Sequence, residues 1–157
     1  MTIDTGSGRP PDREVQVARS FAAPRELVLE AFLDPVQVAS WWAPTGFEIP
    51  ALTVDIEPRV GGRIHFSMVA VESDTEFPVR FEILELSKPN LLVLRSEAMP
   101  DVGIPQPTIT RIAFEDEGTG TKVTITQGPH TDTMLPRALA GWKSCLDKLE
   151  SVVATQT

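Results

Sequence analysis

Between residues 133 and 153 apolar side chains return every third or fourth position: Leu135, Ala138, Leu139, Trp142, Cys145, Leu146, Leu149, Val152 and Val153. That spacing gathers them into one stripe of an α-helix, while Arg137, Lys143, Asp147, Lys148 and Glu150 fall on the opposite face. Asp132 or Thr133 is placed to cap the first turn, and Pro136 lies where a missing N–H forfeits no intrahelical bond. About 20 residues at 1.5 Å rise make a rod of roughly 30 Å. Such a rod needs a broad apolar surface to lie on.

Upstream the period changes to two. Val15, Val17, Arg19 and Phe21 share one face over 14–21. Ile64, Phe66, Met68 and Ala70 alternate with Arg63, His65, Ser67 and Val69, and Phe77, Val79, Phe81 and Ile83 alternate with Pro78, Arg80 and Glu82. Each run predicts a half-buried strand. Further strands are expected over 91–97, 108–115 and 122–127, the last two joined by the turn Glu117-Gly118-Thr119-Gly120. Residues 47–57 form a weaker strand broken by Pro50, which belongs at a sheet edge. Two short helices follow the first strand. One starts at Pro24 and carries Leu27, Val28, Ala31 and Phe32; the other has Asp34 as cap and Pro35 in its first turn, and ends at Trp41-Trp42. Strands that run together with segregated helices predict an α+β fold: a curved antiparallel sheet of about six or seven strands against a long C-terminal helix. Residues 1–13, rich in Gly, Pro and charge, read as a flexible tail, and 14–157 as a single domain.

Charge narrows the partners. A net charge of −8 opposes nucleic acid and anionic membrane surfaces, so neither is an expected partner. No apolar run reaches the ~18 residues of a spanning helix, and the N-terminal stretch lacks the apolar centre of a signal peptide; the cytoplasm is the expected location. One cysteine, Cys145, rules out a disulfide framework. With only His65 and His130 besides it, far apart in sequence, no metal and no cofactor is expected.

Chemistry is sparse on the inward parity of the strands, where the polar residues are Thr108, Thr110 and Gln127; Arg80, Glu82 and Arg111 fall on the outward parity. There is no Gly-x-Ser-x-Gly elbow, no tyrosine, and the one thiol sits on a buried stripe. Arg59-Val60-Gly61-Gly62 reads as a turn or bulge, since a phosphate cradle needs a helix after its glycines. These residues suit holding a molecule better than transforming it.

Phe21-Ala22-Ala23-Pro24, Asp34-Pro35, Trp41-Trp42, Arg59-Val60-Gly61-Gly62, Gly120-Thr121 and Gly141-Trp142 occur in an order that resembles the SRPBCC (START-like, helix-grip) superfamily, in the branch related to the activator of the heat-shock chaperone ATPase. The resemblance spans roughly residues 14–153. It implies a curved sheet gripping the C-terminal helix with a cavity between them. The chaperone activators carry an additional domain for which this chain has no room, so co-chaperone activity does not carry over readily. The expected function is binding of a small apolar or amphipathic molecule, without chemistry. The expected lining is Trp42, Phe66, Met68, Phe81 and Trp142, with Arg111 or His130 as polar contacts. Two alternatives stand beside it: a cyclase or dehydratase using the same cavity, with an acid such as Glu82 if the register shifts, and a protein-interaction module. Residues 98–107 combine three prolines with Met99, Val102 and Ile104, and are expected to form a lid or a homodimer contact.

Overall fold

The computed structural model describes residues 13–154, so the expected N-terminal tail lies, apart from Arg13, outside the described residues. Strand β1 (Val15–Phe21) leads into helices α1 (Arg25–Leu33) and α2 (Pro35–Trp41). The strands β2 (Phe47–Glu48), β3 (Asp55–Glu57), β4 (Arg63–Ala70), β5 (Glu76–Ser87), β6 (Leu91–Ser96), β7 (Thr108–Glu117) and β8 (Gly120–Gly128) follow, and helix α3 (Met134–Ala154) is the last element of the described residues. Among the described residues all eight strands belong to one curled antiparallel sheet in the order β1-β8-β7-β6-β5-β4-β2, with β3 also paired to β4. The sheet is a half-barrel, and α3 lies in its trough beside β1 and the two short helices.

The expected strand over 47–57 is two short pieces. Pro50 lacks the N–H a ladder needs, and a single 3₁₀ turn at Ala51–Thr53 takes its place. The glycine pair after Arg59 has a packing reason. Gly61 N–H donates to the Ile83 carbonyl at 2.9 Å and Ile83 N–H donates to the Gly62 carbonyl at 3.0 Å, seating the turn beside the irregularity of β5 at Ile83/Glu85. A Cβ on Gly62 would stand 2.1 Å from the Glu57 carbonyl oxygen, so only glycine fits. The same irregularity shifts the strand's parity, so that Leu86, which unbroken alternation would put outside with Leu84, packs against the core.

The cap of α3 is neither Asp132 nor Thr133. Thr131 accepts the Met134 N–H on its Oγ1 at 3.1 Å and the Leu135 N–H on its carbonyl at 2.9 Å. The chain already turns at Asp132-Thr133, so the residue that can reach the orphan donors sits one step earlier. Arg19, the one charge on the inward parity of β1, is matched rather than stranded: it pairs with Asp147 at 2.9 Å and Glu150 at 3.3 Å on α3.

Candidate functional site

Along α3 the packing changes character. Its C-terminal half buries Leu146, Leu149 and Val153 in a core shared with Ile83, Leu92, Leu94, Ile112, Phe114, Val123 and Ile125. Its N-terminal half offers Met134, Ala138 and Gly141, and the small residues leave the sheet unmet. The result is a cavity of about 250 Å³.

Aromatic rings from α2 and the sheet form its walls. Trp41 and Trp42 stack with centroids 4.9 Å apart. Trp41 is fully buried, its indole N–H donating to the Ala31 carbonyl at 2.8 Å, and it serves the core. Trp42 faces the cavity, 5.7 Å from both Phe66 and Phe81 and 6.1 Å from Trp142. Met68 and Val79 extend the sheet wall, and Pro44 closes the side behind α2.

The polar part is a small network around Gln127, and its directions can be deduced. The Trp142 indole N–H is a donor only, so the Gln127 atom 3.2 Å away must be the carbonyl oxygen. His130 Nε2 lies 2.9 Å from that same oxygen and must also donate. Neutral His130 is therefore the Nε2–H tautomer, and Nδ1 is a buried acceptor with no partner among the described residues. The Gln127 amide in turn donates to Thr110 Oγ1 at 2.8 Å. Burial holds the His130 pKa below its ordinary value, which keeps the ring neutral near pH 7. Cys145 lines the cavity too, but burial pushes its thiol up to about 12, so it offers no thiolate.

Of the residues named from sequence, Trp42, Phe66, Met68, Phe81, His130 and Trp142 come together around the cavity. Arg111 does not. It points from the outer face of β7, between Thr110 and Ile112, which are both fully buried; strand alternation, uninterrupted here, keeps it outside. Glu82 is likewise on the outer face, in register with Arg63 and Arg95. His65 is also off the cavity lining, beside Asp55 and Arg80 in register.

The charged residue that does reach the cavity is Arg137, which helical spacing assigns to the solvent face. It is exposed at the rim, where α3 leaves the sheet and residues beside the stripe border open space. Ser96 and Thr108, cross-strand partners, are buried hydroxyls on the lining. Residues 98–107 form a small closed loop: Met99 and Ile104 exchange backbone hydrogen bonds of 2.7 and 3.1 Å across a 3₁₀ turn, and both side chains line the cavity, whereas Val102 faces solvent. Gly103, at φ 91°, lies against Met134, since a Cβ there would stand 3.1 Å from the Met134 Cε.

The family model described as "Activator of Hsp90 ATPase homolog 1-like protein" matches residues 22–154. The chain belongs to this family. Solved structures of other members and look-alikes share its architecture. Protein CV1439 from Chromobacterium violaceum is 27% identical, with a TM-score of 0.82 over 90% of this chain and 97% of that one. Protein NE0264 from Nitrosomonas europaea is 19% identical, with a TM-score of 0.78 over 92% of this chain and 96% of its own. The AHSA1 (SPO3351) protein from Silicibacter pomeroyi, 19% identical, gives a TM-score of 0.75 over 92% of this chain and 99% of its own. No curated protein matches the chain in sequence. The family's helix-grip fold typically binds hydrophobic ligands in a cavity. No helix among the described residues is long and apolar enough to cross a membrane.

Proposed function

We propose that this AHSA1-like domain takes a small apolar or amphipathic molecule into the cavity between α3 and the sheet and holds it unchanged. One observation carries this reading: an apolar-walled space bordered by Trp42, Phe66, Met68, Phe81 and Trp142, with a few neutral polar groups, one arginine at the rim and no carboxylate on its lining. Apolar walls with sparse polar groups are what small-molecule pockets present. The acid that a cyclase or dehydratase would need is not supplied by Glu82, which is on the outer face. Met99 and Ile104 turn into the cavity, which favours the lid role for residues 98–107 over a dimer contact.

Size limits the ligand. The cavity of about 250 Å³ exceeds the roughly 150 Å³ that admits benzene in an engineered core and falls just below the ~300 Å³ at which drug-sized pockets begin. Medium-chain and one- or two-ring molecules fit this space; a sterol is the oversized control. Binding to the folded state alone is expected to add about 2.7 kcal/mol of stability at a hundredfold excess over Kd. At least one compound in such a panel is expected to quench the emission of Trp42 and Trp142 and raise Tm. Phe66→Trp, which fills the space, is expected to abolish that response in a protein that stays folded. A variant that binds as well as the parent would remove the site, and time-dependent product formation would replace binding with catalysis.

A further inference from the structure

We infer that the ligand is an amphipathic acid, its carboxylate held by Arg137 at the cavity mouth and its apolar body inside; this rests on the binding reading above. Among the lining residues Arg137 is the only one whose side chain is permanently charged, and none is acidic. In a chain of net charge −8 this is a local reversal of sign.

Arg137 is also unspent. Arg13, Arg19, Arg25, Arg59, Arg63 and Arg95 each pair with a carboxylate, whereas Arg80, Arg111 and Arg137 have no ion-pair partner among the described residues, and of these three Arg137 alone is on the cavity lining. Its helical neighbours three and four residues away are Thr133, Met134, Ala140 and Gly141, so no acid on α3 can reach it in the usual surface arrangement. A guanidinium at the rim of a low-dielectric space presents a planar fork that matches a carboxylate with two parallel hydrogen bonds.

A second observation points into the cavity independently. Thr108 is 4% exposed and Trp42 5% exposed, yet neither the Thr108 hydroxyl nor the Trp42 indole N–H has a hydrogen-bond partner among the described residues, and both residues line the cavity. Both groups are therefore free to donate to an occupant of the cavity. With Arg137 they make a set of donors with no acid on the lining, which suits a ligand rich in oxygen acceptors; the bare His130 Nδ1 is the buried acceptor beside them.

The test uses matched pairs on the full chain: 1-naphthaleneacetic acid against its primary amide, and decanoic acid against 1-decanol, titrated by tryptophan fluorescence at low and high salt. The acids are expected to bind at least about tenfold tighter than their neutral partners, equivalent to about 1.4 kcal/mol. That preference is expected to shrink with salt and vanish in Arg137→Gln, while neutral compounds bind the variant as they bind the parent. If neutral compounds bind and the acids hold no advantage, or if the advantage survives in Arg137→Gln, the inference is overturned and the binding reading stands. If no probe of either kind binds, both fall.

Discussion

The two halves of α3 lie in the same trough and do opposite things. Around Leu146, Leu149 and Val153 helix and sheet meet without a gap, and Arg19 fastens the outer edge through Asp147 and Glu150. Two turns earlier, Ala138 and Gly141 face Trp42, Phe66 and Phe81 across open space. Backbone architecture is shared; side-chain volume is not. A curved sheet and a straight rod cannot touch along their whole length, and the placing of small residues decides which end stays open. Stability is thus concentrated at one end, and the capacity to bind at the other.

The sharpest way to break this contrast is at the boundary. Trp142, 6% exposed and bonded to Gln127, belongs to both halves, and Trp142→Ala is expected to cost roughly 3–5 kcal/mol, as removal of a large buried aromatic does. A denaturant series showing a loss under ~1 kcal/mol would sink the packing account. Enlarging the open half has a different signature. Ala138→Leu is expected to weaken ligand binding by about tenfold or more, equivalent to about 1.4 kcal/mol, while Tm holds or rises; the same exchange would be a burden only if the space were already filled. Gly141→Ala refines the point. A Cβ there would meet only the Pro44 Cβ, at an ordinary 3.8 Å. With room available, the helix-propensity gain should show as about 0.4–1 kcal/mol of added stability. A loss instead would mean the open half is tighter than its geometry indicates.

A pH series tests the open half by another route. Burial lowers the pKa of His130, and burial together with Arg80 lowers that of His65. Just below the ordinary value of 6.5 the unfolded chain therefore takes up protons that the folded chain refuses. The stability held above that pH is lost as pH falls through the window. Tm is expected to drop between about pH 7.5 and 5.5, above the range where most carboxylates titrate. His130→Gln should flatten the slope, since a charged His130 would bury a second N–H without an acceptor. A Tm that rises on acidification would contradict the downward shift that burial gives these two histidines.

Much of this was readable from residue order alone. Period-two runs located β1, β4, β5, β7 and β8 and their inner faces, and period-3.6 spacing located α3, because both periods are imposed directly by backbone geometry. Phe66, Met68, Phe81 and Trp142 on the lining follow from those periods, whereas Trp42, at the end of a short helix, and His130, in the loop before α3, follow from their position in the chain order. What was not readable is where parity stops deciding. Arg137 lies off the apolar stripe and still borders the cavity, since a rim is bounded by flanking residues and not by a stripe. Arg111 could have reached the cavity only if a bulge reversed its outward parity, and β7 alternates without one around it. Met99 and Ile104 lack any period, and only the hydrogen bonds that close their loop aim them inward. The absence of large residues at Ala138 and Gly141 was the one available signal for the open end, and it is legible only once the facing surface is known.

The three indoles of the chain occupy three distinct hydrogen-bonding situations. Trp41 gives its N–H to a core carbonyl, Trp142 to a side chain on the cavity network, and Trp42 to no partner among the described residues. In a proton NMR spectrum these become three separable low-field signals with a built-in calibration. The Trp41 resonance, locked behind the core, should stay put and exchange slowest. Any occupant of the cavity must move the other two, so a single spectrum reports occupancy, and against an internal standard, before the occupant has been identified.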